Sequence, residues 1–251
     1  LRDFAVEDAK GDAIKVKGVT DISFIRVRTE WTNGPDELNG AYGLYPVESK
    51  NVLIDSCVAI GASDAGIYVG QSENIIVKNS RAEYNVAGIE IENSYYADVY
   101  NNHAENNTGG ILVFDLPDIP QQGGHHIRVF KNKSINNNTD NFAPEGNIVG
   151  EVPRGTGIII QANSHVEIFD NDIGDNDTVN IAIVTYGYET DDENYYPHPK
   201  NIQIHNNRFT KSGLNPDLQT GELAKILFEL SEGDMPDIFW DGIIPLKQMI
   251  F

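Results

Sequence analysis

The residues best suited to chemistry recur at one position of a repeated phrase. Tyr45, Tyr68, Glu90, Leu112 and Ile159 follow one another in register, with Glu92 and Phe114 two positions on and Asp115 beside them. Tyrosines set against carboxylates on a flat strand suit sugar recognition, because ring faces cover C–H surfaces while carboxylates accept hydrogen bonds from hydroxyls. On this reading Tyr45, Tyr68, Glu90, Glu92 and Asp115 form a glycan-binding set. The same groups also read as acid–base machinery, with Tyr42, Tyr45 or Tyr68 as general base and Glu90 or Asp115 as acid. The plain alternative is a row of solvent-facing strand residues, since Tyr is a good strand former.

Two further groups have the donor atoms of metal ligands. Asp170, Asp172 and Asp175 cluster oxygens in DNDIGDND, which suits calcium, or simply a solvated turn. Calcium also answers a chemical need. Proton abstraction beside a uronate carboxylate requires a positive group to hold the developing charge, and the tyrosine-bearing strands offer little Lys or Arg. His126 and His165 share one repeat position in consecutive units and are expected ~5–6 Å apart if the units stack. A divalent site with Asp98 or Glu167 is one use for that pair, and capping of strand starts is the other.

The elements that must position these residues follow from internal repetition. Gly66, Gly88 and Gly110 are 22 residues apart, and each opens a Gly-apolar-x-apolar phrase that also occurs at Gly43 and Gly157. A second phrase precedes it in each unit: Val52-x-Ile54, Ile75-x-Val77, Ala97-x-Val99, Ile127-x-Val129, Val166-x-Ile168 and Ile202-x-Ile204. Both phrases alternate with period two, as half-buried strands do. A unit this short cannot close a core alone and must stack on its neighbours. The prediction is an all-β, single-stranded, right-handed parallel β-helix of about eight rungs, residues 1–222. Residues 223–251, with Met235-Pro236 and Ile244-Pro245, are expected to form a cap or a truncated continuation.

Cys57, Ser80, Asn102, Asn132, Asn171 and Asn207 fall at one position and predict an inward column of mutually bonded side chains at a bend. Two residues further, Ala59, Ala82, Ala104, Ser134, Ile173 and Phe209 predict a short third strand. Insertions at 31–40 and 138–155 enter before the glycine strand, and those at 115–124 and 186–200 leave after it. All four are therefore expected to flank one face, as binding loops on solenoids do.

Composition sets limits on the partners. The net charge of −20 repels phosphate backbones and anionic bilayers, which argues against nucleic acid as a partner. No apolar run reaches the ~18 residues of a membrane span. The single cysteine, Cys57, excludes an intrachain disulfide framework. The chain opens without Met, as expected of a mature product or an excised fragment.

Written out in this way, the repeats resemble the right-handed parallel β-helix families that include pectate lyases, polygalacturonases and alginate C5-epimerases. The phrases YGLYPVESKN (42–51), SDAGIYVGQS (63–72), VAGIEIENS (86–94), NNTGGILVFDLP (106–117) and NFAP (141–144) resemble, more narrowly, one uncharacterised bacterial β-helix family. That resemblance implies an exported or lipoprotein precursor and an extracytoplasmic location, periplasmic, cell-surface or secreted. It also implies a partner resembling exported c-type cytochromes. The epimerase YGxDPHE-like motif is matched by Tyr42-Gly43-Leu44-Tyr45-Pro46-Val47-Glu48, which places Tyr45 where the motif has Asp and Val47 where it has His.

Three functional classes follow. The first is a module presenting a groove to a polysaccharide or protein partner without catalysis. The second is a polysaccharide lyase or C5-epimerase acting on uronate polymers. The third is a structural protein that stacks end to end or docks its exported partner, since unpaired β-helix ends invite further pairing.

Overall fold

Alternating apolar residues bend into coils because each unit supplies a residue able to adopt left-handed backbone at every corner. In the computed structural model of the chain, which describes residues 1–220 and 223–243, these corner residues stack in rows. Ser56, Asn79, Asn101, Lys131, Asp170 and Asn206 occupy one row, all with φ between 52° and 58°, and Glu48, Gln71 and Asn93 begin another. Asn and Asp tolerate this conformation better than other side-chain-bearing residues. That tolerance accounts for much of the Asn-rich character of the repeats.

Each regular coil contributes three strands. The first face comprises Lys50–Asp55, Glu73–Lys78, Tyr95–Tyr100, His125–Phe130, Ser164–Phe169 and Lys200–His205. The second face holds the short strands Val58–Ile60, Arg81–Glu83, His103–Glu105, Lys133–Ile135, Asp172–Gly174 and Arg208–Phe209, as the spacing predicts. The glycine face carries Ile14–Lys17, Tyr42–Val47, Ala65–Gly70, Ala87–Glu92, Gly109–Phe114, Thr156–Gln161, Val179–Val184 and Ile238–Trp240. All neighbouring strands pair in parallel. The strand Thr20–Glu30 runs through the first corner and pairs with both Lys50–Asp55 and Val58–Ile60, so the first two faces belong to one sheet.

The core lies inside the coils. Ile67, Ile89, Ile111, Ile158 and Ile181 stack from the glycine face against Val52, Ile75, Ala97, Ile127 and Val166 from the first face. Two amide columns hold the corners. Asn102, Asn132, Asn171 and Asn207 form the expected ladder, each backbone N–H donating to the next amide oxygen at 2.9–3.0 Å. A second column, Asn85, Asn107, Asn137 and Asn176, repeats the arrangement at the next corner. These columns give the corner amides and the N–H groups named here partners, at ~0.5–1.5 kcal/mol of net stability per bond.

The C-terminal residues do not simply close the end of the coil. The helix Leu223–Leu230 packs Leu227 against the outside of the glycine face, and Ile238–Trp240 pairs with Val179–Val184 as a further strand of that face. Ile244-Pro245 lies outside the described residues. No described helix is long and apolar enough to cross a membrane.

Candidate functional site

The column singled out on the glycine face is real. Tyr68 pairs with Glu90, Glu90 with Leu112 and Leu112 with Ile159, while Lys15 lies in register with Tyr45 one coil below. Its expected exposure is not. Tyr68, Glu90, Glu92 and Asp115 are 4%, 1%, 8% and 1% exposed, so none can lie against a polymer in this conformation; only Tyr42 and Tyr45 are half-buried. The cause is a second apolar layer outside the coil. Val149 and Val152 from the 138–155 insertion, with Phe142 and Ile148, and Leu227 with Phe228 from the helix, pack on Leu112, Phe114, Ile159 and Ala182. The outward column beyond Glu90 is apolar because it is a second core.

At the polar end of that layer three rings meet. The centroids of Tyr42, Tyr45 and Tyr68 lie 4.3, 4.7 and 4.9 Å apart. The Tyr68 ring lies over Gly70, where a Cβ would collide with it, and its hydroxyl donates to Glu92 Oε1 at 2.7 Å. Asp64, just before the next strand, completes the cluster and accepts a 3.4 Å hydrogen bond from Asn147 of the covering loop. Both oxygens of Glu90 are buried without a hydrogen-bond partner.

Burial dominates the electrostatics. It raises the Asp64 carboxyl to about 7, with Tyr42 bonding against the rise and the Glu92 and Asp12 charges adding to it. Glu90 is pushed well above the carboxylate range by burial, then by Asp64 and Glu92. Glu92 is also raised by burial. The phenols of Tyr42 and Tyr68 are driven upward by burial and by the same carboxylates, which makes them poor general bases. Asp115 plays a different part: it accepts from the backbone N–H of Gly123 and Gly124 at 3.1 and 2.7 Å and anchors the 115–124 loop, with its carboxyl raised to about 6 by burial.

The open surface is on the first face. A groove of about 880 Å³ runs along its outside, lined by Leu53, Ile76, Tyr96, Asp98, His126, Arg128, His165, Glu167 and Gln203 among others. Two outward rows line it, and a third runs alongside. One carries Asn51, Asn74, Tyr96, His126, His165 and Asn201, all with positive φ. The middle row pairs Asp98 with Arg128 in a two-pronged contact at 2.6 and 2.7 Å, and its Glu167 reaches His205 of the third row at 3.0 Å. The third row is a ring stack, Tyr100, Phe130, Phe169 and His205, with centroids 4.9–5.2 Å apart.

His126 and His165 stand in one row as expected, with rings parallel to within 2° and 4.8 Å apart. Face-to-face stacking turns their nitrogens sideways rather than toward a shared ion, and His165 Nε2 lies 3.0 Å from Asn201 Nδ2. The acidic trio is not brought together either. Asp170 and Asp175 hold left-handed corners on different turns, and Asp172 is paired with Arg208 at 2.7 Å. Among the described residues no three His, Cys, Asp or Glu side chains converge to hold a metal ion.

The sequence placed His126, His165, Asp98 and Glu167 together as a metal-site alternative but not as the wall of a groove, and it did not single out Asp64. The signal for the rows was present, since Asp98, Arg128 and Glu167 sit between the paired apolar residues of each unit.

Residues 2–119 match the family described as right handed beta helix region. No curated protein sequence matches the chain significantly. Among solved structures, a mutant form of the periplasmic alginate epimerase AlgG is similar at 12% identity with a TM-score of 0.52, over 77% of this chain and 48% of that one. The A-module of the Azotobacter vinelandii mannuronan C-5 epimerase AlgE4 is similar at 16% identity with a TM-score of 0.51, over 85% of this chain and 54% of that one. The chain spans about half the length of both, and at these identities the likeness is one of fold. The fold is that of a right-handed parallel β-helix resembling the alginate C5-epimerases.

Proposed function

We propose that this chain is an extracytoplasmic β-helix module that binds a glycan along the outer groove of its first face and does not itself catalyse. The observation that carries the reading is the groove: an open trough whose Asn51, Asn74, Asp98, Glu167 and Gln203 offer hydrogen-bonding groups to hydroxyls beside the apolar surfaces of Ile76 and Tyr96. Tyr96 and Ile76 are 51% and 38% exposed, which leaves apolar area for sugar C–H faces to cover. Two β-helix neighbours that act on alginate and mannuronan lend the glycan class support, and the periplasmic one supports the location.

The lyase or epimerase reading is weaker on chemical grounds. Tyr42 and Tyr68 lie among carboxylates that oppose phenolate formation, and Lys15 stands only at the rim, over Tyr45. Titration of the protein against an oligosaccharide panel tests the proposal. Binding is expected to fall at least tenfold in Tyr96→Ala and Arg128→Ala. A protein that binds no member of the panel, or that turns over uronate polymers to unsaturated or C5-deuterated products, is not the module described.

A further inference from the structure

We infer that the tyrosine–carboxylate cluster on the glycine face is a second binding site, selective for an organic ammonium group such as the free amine of a hexosamine unit. The argument begins with what the cluster lacks. Its groups are Asp64, Glu90, Glu92, Tyr42, Tyr45 and Tyr68, and Glu90, only 1% exposed, has two carboxyl oxygens with no partner. A buried polar group left unpaired is costly, so the fold holds an unmet demand at this position. A donor of positive charge meets that demand best, because the ionisable groups around Glu90 are acidic or phenolic.

The rim shows how such a group is received. Lys15 Nζ stands 4.3 Å from the centroid of the Tyr45 ring, next in the column, with Asp12 3.7 Å from the same nitrogen. An ammonium on an aromatic face beside a carboxylate is the usual way proteins hold amines. Lys15 is exposed and paired only loosely, so it is an internal stand-in that an incoming amine displaces. Half-buried Tyr45 and Tyr42 form the entrance, with the buried carboxyls behind them. The net charge of −20 draws cationic ligands from a distance and repels uronate polymers.

Proton balance gives the site a signature. The charged groups facing the cluster are Asp12, Lys15 and Lys17 at the rim, Asp64, Glu90 and Glu92 within, and Asp115 next to Glu92. A buried carboxyl holding its proton ionises when an ammonium settles beside it: COOH and RNH₃⁺ give COO⁻ with RNH₃⁺ bound and H⁺ released to solvent. Burial raises Asp64 to about 7, so this release is measurable near neutrality.

The sugar carrier rests on the glycan reading, but the ammonium specificity does not, so the test separates the two. Calorimetric titration at pH 7, in two buffers of different ionisation heat, compares glucosamine oligomers, their N-acetylated counterparts and ethylammonium chloride. Amines are expected to bind at least tenfold tighter than N-acetylated sugars, with proton release. Lys15→Ala is expected to tighten amine binding three- to tenfold by vacating the ring, and Glu90→Gln to weaken it about tenfold. Should Glu90→Gln not fold, Lys15→Ala and the half-exposed Tyr45→Ala carry the test. Equal affinity for amine and N-acetyl forms, no proton release, or Lys15→Ala binding no tighter than the parent overturns the inference. Ethylammonium bound with no oligosaccharide bound sustains the inference and removes the glycan reading.

Discussion

Raising the pH from 5 to 8 is expected to destabilise the folded protein, and the buried carboxyls set the size of the effect. Asp64 titrates at about 7 in the folded chain against 3.8 in an unfolded one, because burial penalises its charge. The native state therefore holds a proton that the unfolded state has released, and unfolding free energy falls with pH wherever that holds. Stability from Asp64 is complete below about pH 4 and is lost as pH rises through 7. The full span from 3.8 to about 7 gives an upper limit of ~4 kcal/mol, of which the two units between pH 5 and 7 carry ~3 kcal/mol at about 1.4 kcal/mol each. Glu90 and Glu92 act in the same direction and are coupled to Asp64, so the three together are expected to exceed any one while falling short of their sum. Urea unfolding at fixed ionic strength between pH 5 and 8 measures the slope, and 0.5 M salt suppresses the part due to surface repulsion. Glu90→Gln should flatten the curve, with the gain appearing at pH 8 and not at pH 5. A stability that climbs from pH 5 to 8, or a Glu90→Gln curve parallel to that of the parent, refutes the burial argument.

Asp8 and Asp217, held below the usual carboxylate range by hydrogen bonds, act oppositely; their contribution is complete above about pH 4 and lost as pH falls further, which acid unfolding monitored by circular dichroism would show. Asn132→Ala removes donors to Val99 and Asn171 and the acceptor for Asn102, and is expected to cost ~2–4 kcal/mol in urea unfolding. Gly70→Ala forces the Tyr68 ring off its place and breaks the bond to Glu92; a loss of ~1–3 kcal/mol is expected, with a change in the near-ultraviolet tyrosine signal. Phe130→Ala interrupts the half-buried ring stack between Tyr100 and Phe169, and should cost about 1 kcal/mol beyond the lost area, measured against Phe130→Leu.

The coil was legible because period-two alternation and a 22-residue recurrence leave few other ways to bury Ile67, Ile89 and Ile111 together. The Asn102 column followed from the same register. The layer that roofs the glycine face was not legible. Whether Leu112 and Ile159 meet water or Val152 and Leu227 depends on where the 138–155 insertion and the C-terminal helix settle, and neither carries the repeat. Outward strand positions occupied by Leu, Ile and Phe were the available warning, since large apolar residues repeated along one outer column call for a cover. Tyr45, Tyr68 and Glu90 share that column and were read with it as exposed. Asp64 escaped notice because its importance comes from depth and neighbours rather than from any motif.

The two faces have divided the work that a single solenoid wall was expected to do. Covering the glycine face stabilises the coil, yet it places carboxylates in a low-dielectric layer where they hold protons and where Glu90 goes unpaired. An apolar residue at position 90 would pack with Leu112 and Ile159 at no such cost, so stability does not explain a glutamate there. The first face meets no such conflict: its Asp98, Arg128 and Glu167 remain half in water, where ion pairs contribute little to folding and stay free to exchange partners. A polymer can therefore occupy the first face without rearrangement, whereas anything reaching Glu90 must shift Tyr42, Tyr45 or the loop bearing Asn147. Binding at the first face should accordingly be fast, and binding at the second slow and proton-linked.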